Sequence, residues 1–187
     1  MNEISVYHET ELTAEIARPI AELAAASFEA SGPTIDERVE RMLTAAGSTD
    51  PEKTTCRRFV IWDSDRAVAH ARTFIRTVTV GGRDIPVLAL ATVCSHPDMR
   101  GHGLGKVITL KAFEQIGTPD WPEVSLFQTP VAPFYEKLNS RIVTNKFVDS
   151  TNEKEPDADP WRDDTQMIYP SEYEWPDGTV DLNGPDY

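Results

Sequence analysis

Leu12, Ile16, Ile20, Leu23 and Phe28 recur at helical spacing, so residues 11–31 read as an amphipathic helix, with Pro19 expected to kink or restart it. A short strand, EISVY, precedes it. Residues 33–47 repeat the helical pattern: Thr34 and Glu37 form a capping box, Ile35, Val39, Met42 and Leu43 the apolar stripe, and Gly47 the stop. The period then changes. Residues 57–94 read as three strands rich in Val, Ile, Thr and Phe, joined by turns at Asp63-Ser64-Asp65 and Gly81-Gly82-Arg83-Asp84. Ile85–Cys94 lacks polar alternation, which predicts a central strand buried on both faces.

Farther along, Leu104, Val107, Ile108, Ala112 and Ile116 mark a helix ending at Gly117, and Thr118–Pro122 a turn. EVSLFQ is the next strand. TPVAPFYEKLN is the next helix, with Thr129 as N-cap, Pro130 and Pro133 in its first turn, and Asn139 as a left-handed C-cap. Late strands are expected at RIVTNKFV and TQMIYP, separated by an acidic, proline-containing insert, 150–163, that reads as a mobile loop or lid. The extension 170–187 carries Tyr173, Trp175 and Tyr187, which points to docking on the body. Residues 1–187 are expected to form one domain.

Charge narrows the partners. The formal net charge is −13, which argues against nucleic acid or an anionic membrane and for a small cationic molecule. The longest apolar run is far below the roughly 20 residues a membrane span needs, and no signal peptide is read at the start. Only Cys56 and Cys94 occur, unsuited to a disulfide framework or a zinc site, so no metal is expected and the cytoplasm is the expected compartment.

The densest chemical signal is CSHPDMRGHGLGKVI. Gly101, Gly103 and Gly105 fall within five residues at the start of a helix, where unpaired N–H groups and a partial positive charge favour a phosphate; Arg100 adds a cation. The spacing fits neither a dinucleotide fingerprint nor a P-loop.

Together with APFYEKL some thirty residues later, this motif resembles the GNAT superfamily of acyl-CoA-dependent N-acetyltransferases. The resemblance implies an α+β, α/β/α-layered fold, with a mixed, mostly antiparallel central sheet flanked by helices. The element order expected is β-α-α-β-β-β-α-β-α-β-β plus a C-terminal extension. It also implies acetyl-CoA as co-substrate. Its pyrophosphate would lie on the backbone of Arg100, Gly101, His102, Gly103, Leu104, Gly105 and Lys106, its pantetheine arm along Val93, Cys94 and Ser95, and Tyr135 would protonate the departing thiolate.

Two departures stand out. KLNS replaces the family's usual KLGF, and Asn139 can take the same left-handed cap. The central strand has no carboxylate to act as base, so His70, Asp149, Glu29 or water are the candidates; His96 and His102 flank the cofactor loop. Cys94 lacks a neighbouring base that would make it an acyl-carrying nucleophile. The tail has a weaker similarity to aminoglycoside 2'-N-acetyltransferases, and its Asp177, Asp181, Asp186 and terminal carboxylate could meet a polyamine or aminocyclitol. The expected reaction is acetyl transfer to a primary amine of a small cationic molecule by direct attack. A protein or peptide amine and a non-catalytic acyl-CoA-binding module are the alternatives, and a homodimer is left open.

Overall fold

In the computed structural model, which describes residues 3–28, 32–45 and 48–187, the chain runs β1 (Ile4–His8), α1 (Ala14–Ser27), α2 (Ile35–Leu43), α3 (Pro51–Thr54), β2 (Arg57–Asp63), β3 (Arg66–Val80) and β4 (Arg83–Ser95). It continues with α4 (Leu104–Phe113), β5 (Ser125–Gln128), α5 (Ala132–Glu136), β6 (Arg141–Val143), β7 (Phe147–Val148), β8 (Gln166–Tyr169) and β9 (Val180–Asp181). This is the mixed, mostly antiparallel sheet with flanking helices that the sequence predicts, with a short extra helix and two extra two-residue strands. Contacts divide the chain into two units. The first takes the chain through Phe74 together with Leu90–Glu114, the second Ile75–Ala89 together with Gln115–Tyr187, so β3 and β4 contribute to both.

In the first unit the strand order is β1-β2-β3-β4. β1 and β2 pair antiparallel from Ile4↔Ile61 to His8↔Arg57, and β2 and β3 from Arg57↔Thr73 onward, with a bulge at Ile61/Trp62. Ser64, at φ +58°, takes the left-handed position in the tight turn between them. α1 runs through Pro19 to Ser27 as one helix. α2 starts on the expected capping box: Glu37 N–H donates to Thr34 Oγ1 at 3.3 Å and Thr34 N–H to Glu37 Oε2 at 2.7 Å. Its expected stop, Gly47, lies outside the described residues. Ile20, Ala21 and Leu23 of α1 pack with Val39 and Met42 of α2 on Val60 and Ala67 of the sheet. Burying such side chains contributes about 1.5–3 kcal/mol each for the larger ones.

In the second unit β4 pairs in parallel with β5, at Leu88↔Ser125 and Ala89↔Leu126 only, and β5, β8 and β6 follow antiparallel. Gly81 and Gly82, at φ +57° and +79°, make the two-residue hairpin turn between β3 and β4, a geometry that excludes most side chains. Of the run Ile85–Cys94 expected to be buried on both faces, Val87–Ala91 and Cys94 are buried, whereas Pro86 and Thr92 are exposed and Ile85 and Val93 half-buried. RIVTNKFV divides into β6 and β7, and the helix expected over 129–139 shortens to α5. Val131, not Thr129, is its N-cap; Thr129 instead accepts from Val131 N–H at 3.1 Å, holding the turn ahead of the helix. Asn139 does adopt the left-handed conformation, φ +68°. The tail is docked: Tyr187 OH donates to Leu126 O at 2.8 Å, its ring meets Trp161 edge-on, and Arg76 lies over the ring at 4.9 Å.

Candidate active site

The glycine loop before α4 is shaped by its backbone. Gly101 and Gly103 sit at φ +82° and +77°, and Gly103 is the N-cap of α4. With no side chain at Gly103 to cap it, the helix begins its ladder at Val107 N–H on Gly103 O, 3.1 Å. The N–H groups of Leu104, Gly105 and Lys106 precede that bond and face outward, as a first helical turn must. Arg100, Gly101, His102 and Gly103 are exposed, and a Cβ placed on Gly101 or Gly103 would meet nothing within 4 Å, so a ligand has open approach. The His102 ring folds back, Nδ1 lying 3.2 Å from Met99 O and 3.1 Å from Arg100 O. His96 Nδ1 accepts from Asp98 N–H at 3.2 Å and shapes the turn before the loop. Both histidines serve the loop's conformation.

One turn of chain earlier, β4 is bent. Thr92 has φ +47°, a left-handed conformation that a β-branched residue adopts only when its surroundings hold it there. The Thr92 carbonyl points at His70, whose Nδ1 lies 3.0 Å away. A carbonyl only accepts, so Nδ1 carries the proton and Nε2 is left to accept from Arg58 at 3.3 Å. Beyond Thr92, Val93 and Ser95 are half-buried and Cys94 is buried. Ser27 Oγ donates to Ser95 O at 3.4 Å.

His70 belongs to a buried polar cluster. Arg58 grips Glu9 with two nitrogens, Nε at 2.5 Å and Nη2 at 2.8 Å, with both side chains under a tenth exposed. Cys56 Sγ donates to Glu9 Oε2 at 3.2 Å, and Arg72 Nε donates to Cys56 Sγ at 3.4 Å. Burial pushes the Glu9 carboxyl upward, but the Arg58 hydrogen bond and charge outweigh it and the net shift is down. Burial, with the Arg72 charge opposing, pushes the Cys56 thiol up to about 11, so it is neutral at pH 7. The cluster adjoins a cavity of about 230 Å³ within the first unit.

Tyr135, in the second unit, is buried, its ring centroid 4.7 Å from Phe127 and 4.8 Å from Phe134. Among the described residues no group of three or more His, Cys, Asp or Glu is arranged to hold a metal ion, and no helix is long and apolar enough to cross a membrane.

A family model described as Acetyltransferase (GNAT) domain matches residues 10–142. The chain belongs to the GNAT acetyltransferase family. Solved GNAT-type structures agree at the level of fold. The Escherichia coli GNAT family N-acetyltransferase YhbS in complex with CoA has 15% identity and a TM-score of 0.63, with 97% of this chain and 89% of that one covered. Escherichia coli ElaA has 20% identity and a TM-score of 0.57, with 90% and 99% covered. A GCN5-related N-acetyltransferase from Kribbella flavida has 20% identity and a TM-score of 0.56; this chain covers 33% of its length, with 75% of its own. A search of curated proteins found no match.

Within this GNAT chain, His70 is a poor base. Burial, reinforced by the Arg58 charge, pushes its pKa down to about 3, so at neutral pH it has almost no affinity for a proton. Asp149 Oδ1 already accepts from Thr151 N–H and Oγ1, at 3.0 and 2.6 Å. Glu29 lies outside the described residues. His70 instead makes stability pH-dependent. The unfolded chain binds its proton near pH 6.5 and the folded one near 3, so the contribution is complete above about pH 6.5 and lost as pH falls toward 3. Urea unfolding is expected to show about 3 kcal/mol less stability at pH 4 than at pH 7. Glu9 adds loss below its ordinary range, and His70→Gln should flatten the upper part of the slope.

Glu9, Arg58, Arg72 and Thr92 had no signal in the linear pattern. Their elements are separated in sequence, and nothing local marks Thr92 as bent.

Proposed function

We propose that the chain transfers the acetyl group of acetyl-CoA to a primary amine of a small molecule, by direct attack in a ternary complex. The observation that carries this reading is the uncapped, open start of α4 after two left-handed glycines, with Arg100 in the loop and Lys106 in the helix's first turn. In this reading Arg100–Lys106 bind the cofactor pyrophosphate and Val93, Cys94 and Ser95 run beside the pantetheine. The CoA complex of YhbS supports the choice of cofactor. The amine nitrogen bonds to the thioester carbonyl carbon, an N–H near Cys94 stabilises the oxyanion, and the C–S bond then breaks. Tyr135 gives its proton to the leaving thiolate, and the ammonium proton leaves through water. We place the reaction in the cytoplasm, as the two free thiols of the sequence led us to expect.

A covalent acyl-cysteine does not fit the local chemistry. Burial pushes the Cys94 thiol up to about 12, against the smaller opposing effects of Ser27 and Arg38, so the thiolate is scarce. Cys94→Ala is expected to keep kcat/KM within about threefold; a loss of about a thousandfold would restore the covalent route.

The acidic tail gives little support to an aminoglycoside-like acceptor. Asp186 is paired with Arg162 at 2.5 Å and with Gln128, while Asp181 accepts from Ser150 and Asn183 N–H groups. These contacts tie the tail to its own unit. The testing experiment is thiol release from acetyl-CoA across aminoglycosides, polyamines, amino acids and short peptides. Release above background hydrolysis with one class supports the transferase, whereas silence with acetyl-CoA binding intact supports the binding-module alternative.

A further inference from the structure

The cavity beside Thr92 has a charge opposite to that of the chain. Its described walls carry Arg38, Arg41, Lys53, Arg58 and Arg72 against one carboxylate, Glu9, in a chain whose net charge is −13. Glu9 is consumed by the two-nitrogen grip of Arg58. Cys56, beside Arg72, is a neutral thiol, and His70 is a neutral imidazole, so neither offsets a cation. Arg38 donates its Nε to Pro33 O at 2.9 Å, an uncharged partner. Two carboxylates act from outside the walls: Glu37, four residues before Arg41, and Glu52, which faces Arg72. Neither Glu37 nor Glu52 is a wall residue. Among the described wall residues the cations therefore outnumber the anions. Low-dielectric walls around charges of one sign focus the field on whatever enters.

The rest of the lining sets size and shape. Ile20, Ala21, Ala24 and Met42 supply apolar lining. About 230 Å³ falls below the roughly 300–1,000 Å³ of drug-sized sites. That volume suits a metabolite of amino-acid size better than an aminoglycoside. Thr92 on the wall is the immediate neighbour of Val93, where the proposed pantetheine track begins.

We propose that this cavity is the acceptor pocket and that it selects an amine carrying its own carboxylate, held by Arg41, Lys53 and their neighbours. This rests on the transferase reading above. Arginine and lysine suit the carboxylate through charge-assisted hydrogen bonds, and the apolar lining takes a short hydrocarbon side chain. The anchored anion leaves the amine of the same molecule free for the thioester.

The test pairs each of a set of free amino acids with its carboxamide, which keeps shape and amine and removes the charge. Acetyl-CoA binding is measured separately by calorimetry. The best acid is expected to show kcat/KM about tenfold or more above its amide. Arg41→Gln and Lys53→Gln are expected to raise KM for that acid about tenfold each and to bring the acid-over-amide ratio toward one, with unchanged acetyl-CoA affinity as the check that the variants fold. Amides or polyamines turned over as well as acids would overturn the anionic pocket and leave the transferase standing. Turnover of neutral amines with succinyl-CoA well above acetyl-CoA would overturn it by moving the carboxylate to the acyl group. Acetyl-CoA binding without turnover of either series would also overturn it, and failure to bind acetyl-CoA would remove the transferase reading itself.

Discussion

Glu9→Ala is expected to destabilise the chain by about 3–5 kcal/mol, measured by urea unfolding at pH 7. The substitution leaves the Arg58 guanidinium buried without the carboxylate that meets it at 2.5 and 2.8 Å. It also takes the acceptor from Cys56 Sγ and removes one of the charges around His70. Breaking one side of a buried pair costs far more than the pair's net worth, because the surviving charge has lost both water and partner. Replacing Glu9 and Arg58 together by Leu and Met should recover much of the loss, since no charge is then stranded. A loss below about 1 kcal/mol for the single variant would mean that water from the adjoining cavity already solvates the guanidinium.

Tyr135→Phe is expected to lower kcat by tens to about a thousandfold with acetyl-CoA affinity nearly unchanged, the range of a general acid. The ring packs against Phe127 and Phe134, and phenylalanine keeps those contacts, so the variant should fold. What it lacks is the phenol proton, without which the leaving thiolate must be protonated by solvent. Thiol release at saturating amine, with a calorimetric titration of acetyl-CoA, separates the two quantities. An unaltered kcat would take Tyr135 out of the mechanism, and an equal loss in affinity would make it a packing residue of the cofactor site.

The sequence was most informative where one short segment carries both the structural reason and the chemistry. Gly101 and Gly103 take positive φ, and the helix after them starts uncapped, as the glycine spacing predicts. The Thr34–Glu37 capping box, the Gly81-Gly82 hairpin and the doubly buried run in β4 were equally local. Boundaries were less legible. Thr129 has the right side chain for an N-cap, but its hydroxyl accepts from Val131 N–H in the turn ahead of the helix, and Val131 takes the cap position instead.

By itself, then, the sequence determined the broad order of elements, the family resemblance and the glycine loop ahead of α4, because each depends on residues within a few positions of one another. Only the tertiary structure decided what surrounds His70 and what lines the cavity beside Thr92. Glu9, Lys53, Arg58 and Arg72 reach that cavity from separate segments, and no window of sequence places them together. The same distinction explains the charge. A net charge of −13 sums over the whole chain and led to the expectation of a cationic ligand. A ligand in a small cavity responds instead to the few groups that fold around it, where reduced screening gives each one more weight.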